Sequence, residues 1–438
     1  MKKFLITLPV VAFALLSITA CEDAKNQQGP IDVPEDTKDS PLTPGEHKAK
    51  LEDIAIEFTN YFNPADTETI VYSILSLAEY LEYGDFPEYY SAMASNIARG
   101  AETLSPDQIM QLATRMSSDF VIDINDADTN PFAGKCYTFD GEEWIESATD
   151  QKSVKLVWDD SSLELCWNDT TKWEYNFVEE DMNIAVYVPK SIKLTMVING
   201  KEHLGVEVKT SITDNYTLAL SVSATLNGGY AIACDSKADN KGLEGRAAVK
   251  KGNKVLLSSA MVVAINDFTD IDNWMVEYYD SWEETTYTYI DPYYYFVENV
   301  KNGSAQVDIL NLSVIAQGDF KGMYEKIEEY DDMYDSWEDG DYDEATDKKY
   351  CEKVCELVND NVDVVVIYND TKEKVADVVM HVAFDTWEGD KYYYVEPVLL
   401  FPDGSKFAFE DYFTERAFGD LIDALEDLAD KFYDIVNW

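Results

Sequence analysis

The sequence predicts an α+β protein: N-terminal helices, a large antiparallel β meander forming an open half-barrel or a sandwich, and a C-terminal helix packed on the sheet. Three observations predict it. Between residues 191 and 266, six short runs are each apolar on one face and are separated by turn-forming residues. Residues 47–118 repeat their apolar positions at helical spacing, and so does the end of the chain. Strands alternate faces with period two and helices with period 3.6, so the two patterns call for different elements.

At the N-terminus Lys2 and Lys3 precede the apolar run Phe4–Ile18, followed by Ile18-Thr19-Ala20-Cys21. The run is too short and wrongly flanked for a membrane span and has the form of a secretory signal. Its last four residues resemble the lipobox of bacterial lipoproteins, which implies cleavage after residue 20 and lipid attachment at Cys21. Residues 1–20 are thus a lipoprotein signal peptide. Residues 21–46, rich in Pro, Asp, Lys and Gln, have little to bury and are expected to form a flexible acidic tether. Glu22-Asp23 resembles the surface-export signal of Bacteroidota lipoproteins.

Residues 47–125 form a helical segment. Leu51, Ile54, Phe58 and Tyr61-Phe62 share one face, as do Ile70-Val71, Ile74, Leu77-Ala78 and Leu81. Asp66 or Thr67 would cap the second helix, and Ser105-Pro106 opens a later one.

The antiparallel meander domain spans 126–319. Asp140-Gly141 and Asp159-Asp160-Ser161 split its first two hairpins. In the clearest run Tyr216, Leu218, Leu220, Val222, Ala224 and Leu226 alternate with Thr217, Ala219, Ser221, Ser223 and Thr225. The alternation predicts Leu218, Leu220 and Val222 facing inward as core. The other face, with Ala219, Ser221, Ser223, Ala231 and Ala233, suits close helix packing or a shallow ligand cup. Asn199-Gly200, Asn227-Gly228, Gly252-Asn253 and Asn302-Gly303 are hairpin signals, because such residues accept positive φ.

Residues 320–438 are an α+β segment: a helical stretch to Asn359 with an acidic tract at Glu328–Asp347, then strands at Val362–Tyr368, Val375–Phe384 and Tyr392–Phe401. It ends in an amphipathic helix with Phe418, Leu421-Ile422, Leu425 and Leu428 on one side. An outer-membrane barrel closes on a strand, and this chain closes on a helix.

The chain carries 85 acidic and 34 basic residues, a formal charge of -51, and only four of its bases are Arg. Removal of residues 1–20 takes two lysines and leaves -53. Nucleic acid needs clustered cations, so it is not an expected partner. An anionic bilayer surface repels the chain for the same reason. Signatures of nucleophilic elbows, zinc proteases and phosphate loops are missing, which leaves no catalytic residue to name. Three histidines, His47, His203 and His381, make a zinc site improbable, so neither metal nor cofactor is expected. Asp335, Asp339, Gly340 and Asp343 align with an EF-hand loop, but Trp337 and Thr346 stand where ligands belong; Asp126, Asp128 and Asn130 run into Pro131. Both are expected to be solvated loops. The cysteines left after processing are Cys136, Cys166, Cys234, Cys351 and Cys355. Cys136 and Cys166 could face each other across strands, and Cys351 and Cys355 lie one helical turn apart. The near copies Asp280-Ser281-Trp282-Glu283, Asp335-Ser336-Trp337-Glu338 and Asp385-Thr386-Trp387-Glu388 lack a fixed period and reflect composition.

Aromatics are the remaining candidates. Tyr287, Tyr289, Tyr293, Tyr294, Tyr392 and Tyr393 lie in strand-like stretches where exposed rings could stack on sugars. The layout of lipobox, acidic tether, helices, meander and terminal helix resembles cell-envelope lipoproteins of gut Bacteroidota. A sheet with helices on one side is also similar to the open half-barrel of LolA-type carriers. These resemblances imply a lipid-anchored protein of the bacterial envelope, in the periplasmic or the surface leaflet of the outer membrane. Its partners would be the membrane, through the N-terminal lipid, and a glycan or an apolar small ligand. The expected role is non-enzymatic binding or structure. The alternatives are a surface glycan-binding lipoprotein and an envelope hydrolase using a carboxylate pair.

Overall fold

The structure is a computed structural model. It describes residues 31–83, 120–123, 133–150, 152–177, 182–214, 217–265, 275–280, 285–290, 300–320, 344–387, 390–413 and 418–436, with single positions between 323 and 330. Cys21, the later helices read at 84–118, Asp126–Asn130 and the tract 331–343 lie outside the described residues.

Four long α-helices, one single-turn helix (Phe409–Tyr412) and twenty-two strands are described. The long helices are α1 (Pro44–Asn60), α2 (Glu68–Tyr83), α3 (Glu344–Asn361) and α4 (Gly419–Val436). The strands are β1 (Lys38–Asp39), β2 (Phe120–Asp123), β3 (Lys135–Phe139), β4 (Trp144–Ala148), β5 (Ser153–Trp158), β6 (Ser161–Trp167), β7 (Thr170–Phe177) and β8 (Met182–Pro189). The six-run stretch follows as β9 (Ser191–Ile198), β10 (Lys201–Asp214), β11 (Thr217–Leu226), β12 (Tyr230–Asp239), β13 (Gly242–Lys251) and β14 (Lys254–Ile265). The remainder are β15 (Met275–Asp280), β16 (Thr285–Ile290), β17 (Val300–Ile309), β18 (Leu312–Asp319), β19 (Val362–Tyr368), β20 (Glu373–Trp387), β21 (Asp390–Leu400) and β22 (Lys406–Ala408).

Seventeen strands form one open sheet with β4 at one end and β22 at the other. It is mixed: β3 runs parallel to β5 and β1 parallel to β20, and its other pairs are antiparallel. β15–β16 and β2–β8–β7 are separate small sheets. The architecture is therefore α+β with one large open sheet, neither a sandwich nor a closed barrel.

Turn chemistry explains most reversals. Asn199 and Gly200 take φ of 52° and 75°, as a tight hairpin between β9 and β10 requires. After β11 the positive angles fall on Gly228 and Gly229, both at 82°, one residue later than Asn-Gly pairing predicts. Asn302-Gly303 makes no turn at all: both lie inside β17. Gly303 pairs with Gly318, and a Cβ on Gly318 would stand 2.5 Å from the Phe320 ring, so the two glycines make room for that ring.

One row of opposed residues crosses ten strands: Leu165, Leu194, Val206, Ala224, Ile232, Val249, Leu257, Ile309, Leu312 and Tyr368. Every member is apolar, so one continuous face is built for burial. α2 covers its first arm, where Ile70 and Leu77 pack with Trp158, Met196 and Ile198. α1 covers the far arm, where Ile54 joins Val366, Tyr368, Leu399, Phe401 and Tyr412; Phe418 and Leu421 at the start of α4 join the same cluster. α4 touches both α1 and α2.

The middle of that face departs from expectation. Leu218, Leu220 and Val222 do share it, in register with Ile212, Thr210 and Val208. Yet Leu218 is 46% exposed, Leu220 and Val222 are only half-buried, and none belongs to a core cluster. The described helices lie over the two arms, so the alternation here gives direction without depth. Ile74, expected on the buried side of α2, is likewise exposed.

α1 begins with a capping box: Thr43 accepts from the Glu46 N–H, and the Glu46 carboxylate accepts from the Thr43 N–H at 2.8 Å. Where tethering was expected, the chain from Ile31 onward is docked. Ile31 and Val33 pack on Ile315, Val365 and Ile367, on the face away from α1. β1 then pairs with Glu373 and Lys374 of β20.

Candidate functional site

Strands β10–β13 position a hollow among the described residues. Two rows of residues point to the face opposite the apolar row. Lys209, Ser221, Asp235 and Arg246 form one, and Ser211, Ala219, Lys237 and Glu244 form the next. All eight line a hollow of about 540 Å³. Thr210, Leu220, Ser236 and Gly245, which lie between the two rows, also line it, whereas Ile212, Val222 and Cys234 do not. Its floor is small because β11 carries Ala219 and Ser221 there. Its walls are long because β10, β12 and β13 place charges at every second residue. The small-residue face of β11 is therefore a shallow cup with a polar rim.

The charges alternate in sign. Arg246 stands opposite Asp235, and Lys237 opposite Glu244. Lys237 donates to Asp239 at 2.7 Å, which holds the amine above its ordinary pKa and the Asp239 carboxyl below its own. Lys209 donates to Glu207 at 2.9 Å. Such a lining offers hydrogen-bonding and ionic groups beside the apolar surface of Ala219 and Leu220. Sequence reasoning singled out the floor but missed the walls. The signal was present as Asp235, Lys237, Asp239 and Glu244, Arg246 at spacing two.

Among the described residues, the sequence-predicted aromatics fall on two different sheets. Tyr287 and Tyr289 sit on β16, opposite Tyr278 and Val276. Tyr293 and Tyr294 lie outside the described residues. Tyr392 and Tyr393 are neighbours on β21 and so point to opposite faces. Tyr392 shares its side with Tyr394, and both are exposed. Tyr393 points with Phe384, and its hydroxyl donates to Glu344 at 3.1 Å.

The cysteines are free thiols. Cys136 pairs with Lys155 on β5 and Cys166 with Ser153, so a strand separates them and the register is offset. Cys351 and Cys355 are buried on α3, and burial pushes their thiols up to about 12 and about 11. They stay protonated at neutral pH, which removes the reactive thiolate. Among the described residues no cluster of His, Cys, Asp and Glu is fit to hold a metal ion, and no helix is long and apolar enough to cross a membrane.

Two further polar groups are structural. His47 is fully buried in the first turn of α1, with Nδ1 2.9 Å from the Tyr368 hydroxyl and its ring against Tyr368 and Phe401. Burial, with Lys50 nearby, holds its pKa below the ordinary value. Asp308 on the outer face accepts from Ser258 at 2.9 Å, Gln306 at 2.7 Å and Ser313. The groups around Asp308 satisfy one another, whereas His47 Nε2 is buried without a hydrogen-bond partner. Comparisons with family models, with curated proteins and with solved structures find no match to this chain.

Proposed function

We propose that the chain is a lipid-anchored extracytoplasmic binding protein of the bacterial outer membrane, without catalytic activity. The observation that carries the reading is Ile18-Thr19-Ala20-Cys21 behind a basic, then apolar, N-terminus. The acidity supports it, since a charge of -51 opposes nucleic acid and favours solubility in an extracytoplasmic compartment. The hollow over β11 supports binding: it is a cup of mixed charge with a small floor, lined by paired groups and not by an acid–base constellation. Its ligand is a small polar molecule.

The test of anchoring is fractionation. Cys21→Ala releases the protein from membranes, whereas a variant that remains bound after a high-salt wash overturns the reading. The test of binding fills the cup. Protein isolated from its envelope carries a small molecule detectable by native mass spectrometry. Ser221→Trp loses that molecule without loss of fold, and a bound mass unchanged by Ser221→Trp removes the cup from the proposal.

A further inference from the structure

We infer that the β20–β21 hairpin is a membrane-facing element that seats its aromatic side chains in the headgroup layer of a zwitterionic bilayer. The inference rests on the lipid-anchoring reading and adds an orientation to it. Three observations carry it.

The first is where the tether reaches the sheet. The Ile31 N–H donates to Ser304 Oγ at 3.3 Å, and Gln317 Nε2 donates to the Ile31 carbonyl at 2.8 Å. Ser304 pairs with Gln317, and Gln317 with Asp363. The chain thus enters where β18 finishes and β19 begins.

The second is that β20 overshoots the sheet at that same end. It starts at the opposite end, with Glu373 opposite Tyr368, and passes Val365 at Asp377. The Asn359 side chain then takes the place of a strand. Its Oδ1 accepts from the Met380 N–H at 2.7 Å, and its Nδ2 donates to the Met380 carbonyl at 2.9 Å. Beyond Met380 the hairpin continues to Trp387 opposite Asp390. Those seven residues extend roughly 23 Å at the rise of a strand.

The third is what the projecting part carries. Phe384 is 49% exposed on one face of the hairpin, and Tyr392 and Tyr394 are 40% and 38% exposed on the other. Aromatic rings with one wet and one apolar end concentrate at the headgroup level of bilayers. Asp385, Asp390 and Glu396 accompany Lys391 on the same hairpin, and α3 packs along it with Asp347 accepting from the Tyr393 N–H at 2.8 Å and Glu344 from the Tyr393 hydroxyl, so the surface that accepts it is zwitterionic and not anionic.

The lengths agree. Nine residues, Glu22–Pro30, separate Cys21 from Ile31 and reach about 30 Å when extended. That reach exceeds the overshoot of the hairpin, so a chain anchored at Cys21 is able to set the hairpin, with α3 alongside it, against the bilayer.

The test is hydrogen exchange read by mass spectrometry on the acylated full chain in phosphatidylcholine vesicles, against the soluble Cys21→Ser chain. The expected result is exchange slowed about fivefold or more in peptides from 381–396. Peptides covering the turns at Gly200 and Gly252, at the other end of the sheet, are unchanged. Replacing Phe384, Tyr392 and Tyr394 together by Ser abolishes the protection and leaves the protein on the vesicles. The N-terminal peptide of the same digest reports acylation. If it is unmodified, the anchoring reading falls and takes the inference with it. If it is acylated and the hairpin exchanges equally in both forms, the hairpin inference alone is overturned. Protection brought by maltohexaose and not by vesicles overturns it in favour of a sugar surface.

Discussion

At β19 the apolar row ends on Tyr368, fully buried under α1, with His47 against its ring and Lys50 Nζ 3.5 Å above it. At β11 the same face carries Leu218, nearly half exposed, and two half-buried neighbours. The two regions share one sheet, one face and one alternating pattern. They differ in whether a described helix lies over them. Period-two alternation fixes which way a side chain points, whereas the depth of its burial belongs to the element that covers it. The stretch with the clearest pattern is thus a weakly buried span, while buried clusters lie at both arms and around Met261, Val263 and Ala305 on β14 and β17.

Mutations can sharpen or break that contrast, and the largest effect belongs to the far arm. Phe401 is 2% exposed and touches His47, Phe407 and Tyr412. Phe401→Ala is expected to lower unfolding stability by about 3–5 kcal/mol, read from denaturant midpoints. A loss below that of a surface substitution would remove the far arm as a core.

The helix connector is next. Lys251 Nζ donates to the Tyr61 carbonyl at 2.9 Å, to Asp66 at 2.9 Å and to the Tyr230 hydroxyl at 3.0 Å. This clamp fastens the turn between α1 and α2 to β12 and β13. Its groups are about a quarter exposed, so Lys251→Met is expected to cost only about 1–2 kcal/mol in thermal or denaturant unfolding. An unchanged midpoint would mean that the helices are held by their apolar faces alone.

Acid tests the same arm through His47. Its folded pKa is depressed by burial and by Lys50, with Glu373 and Glu46 opposing. The stabilisation is therefore complete above the unfolded pKa of about 6.5 and is lost as pH falls through the folded value. Relative to His47→Phe, the wild type loses up to about 1.4 kcal/mol per pH unit between about 6.5 and the folded value, and no more below it. Parallel stability curves for the two proteins would contradict a buried, neutral His47.

The smallest effect is predicted for the stretch that sequence alone placed at the centre. Leu220→Ala is expected to cost less than about 1 kcal/mol, because little area leaves water there on folding. A loss of about 3 kcal/mol would show that this span is covered as firmly as the arms.

How much could be read beforehand follows the range of the interactions. Strand positions, the Asn199-Gly200 reversal and the shared face of Leu218, Leu220 and Val222 are set by neighbours in the chain, and the sequence alone determined them; the Thr43–Glu46 cap lies inside the stretch expected to be a tether. Asn302-Gly303 misled because the demand for glycine came from Phe320 across the strand. The floor of the cup was legible as Ala219 and Ser221. Its walls were not, because Lys209, Asp235, Glu244 and Arg246 acquire meaning only when register sets four strands side by side. Likewise Tyr392 and Tyr393 read as one aromatic patch, and the pleat divides them. Tertiary structure decided which arm carries a core, that the tether is docked from Ile31, and that β20 outruns its neighbours. Each depends on contacts between residues far apart in sequence, whose loop-closure cost and packing gain no local pattern records.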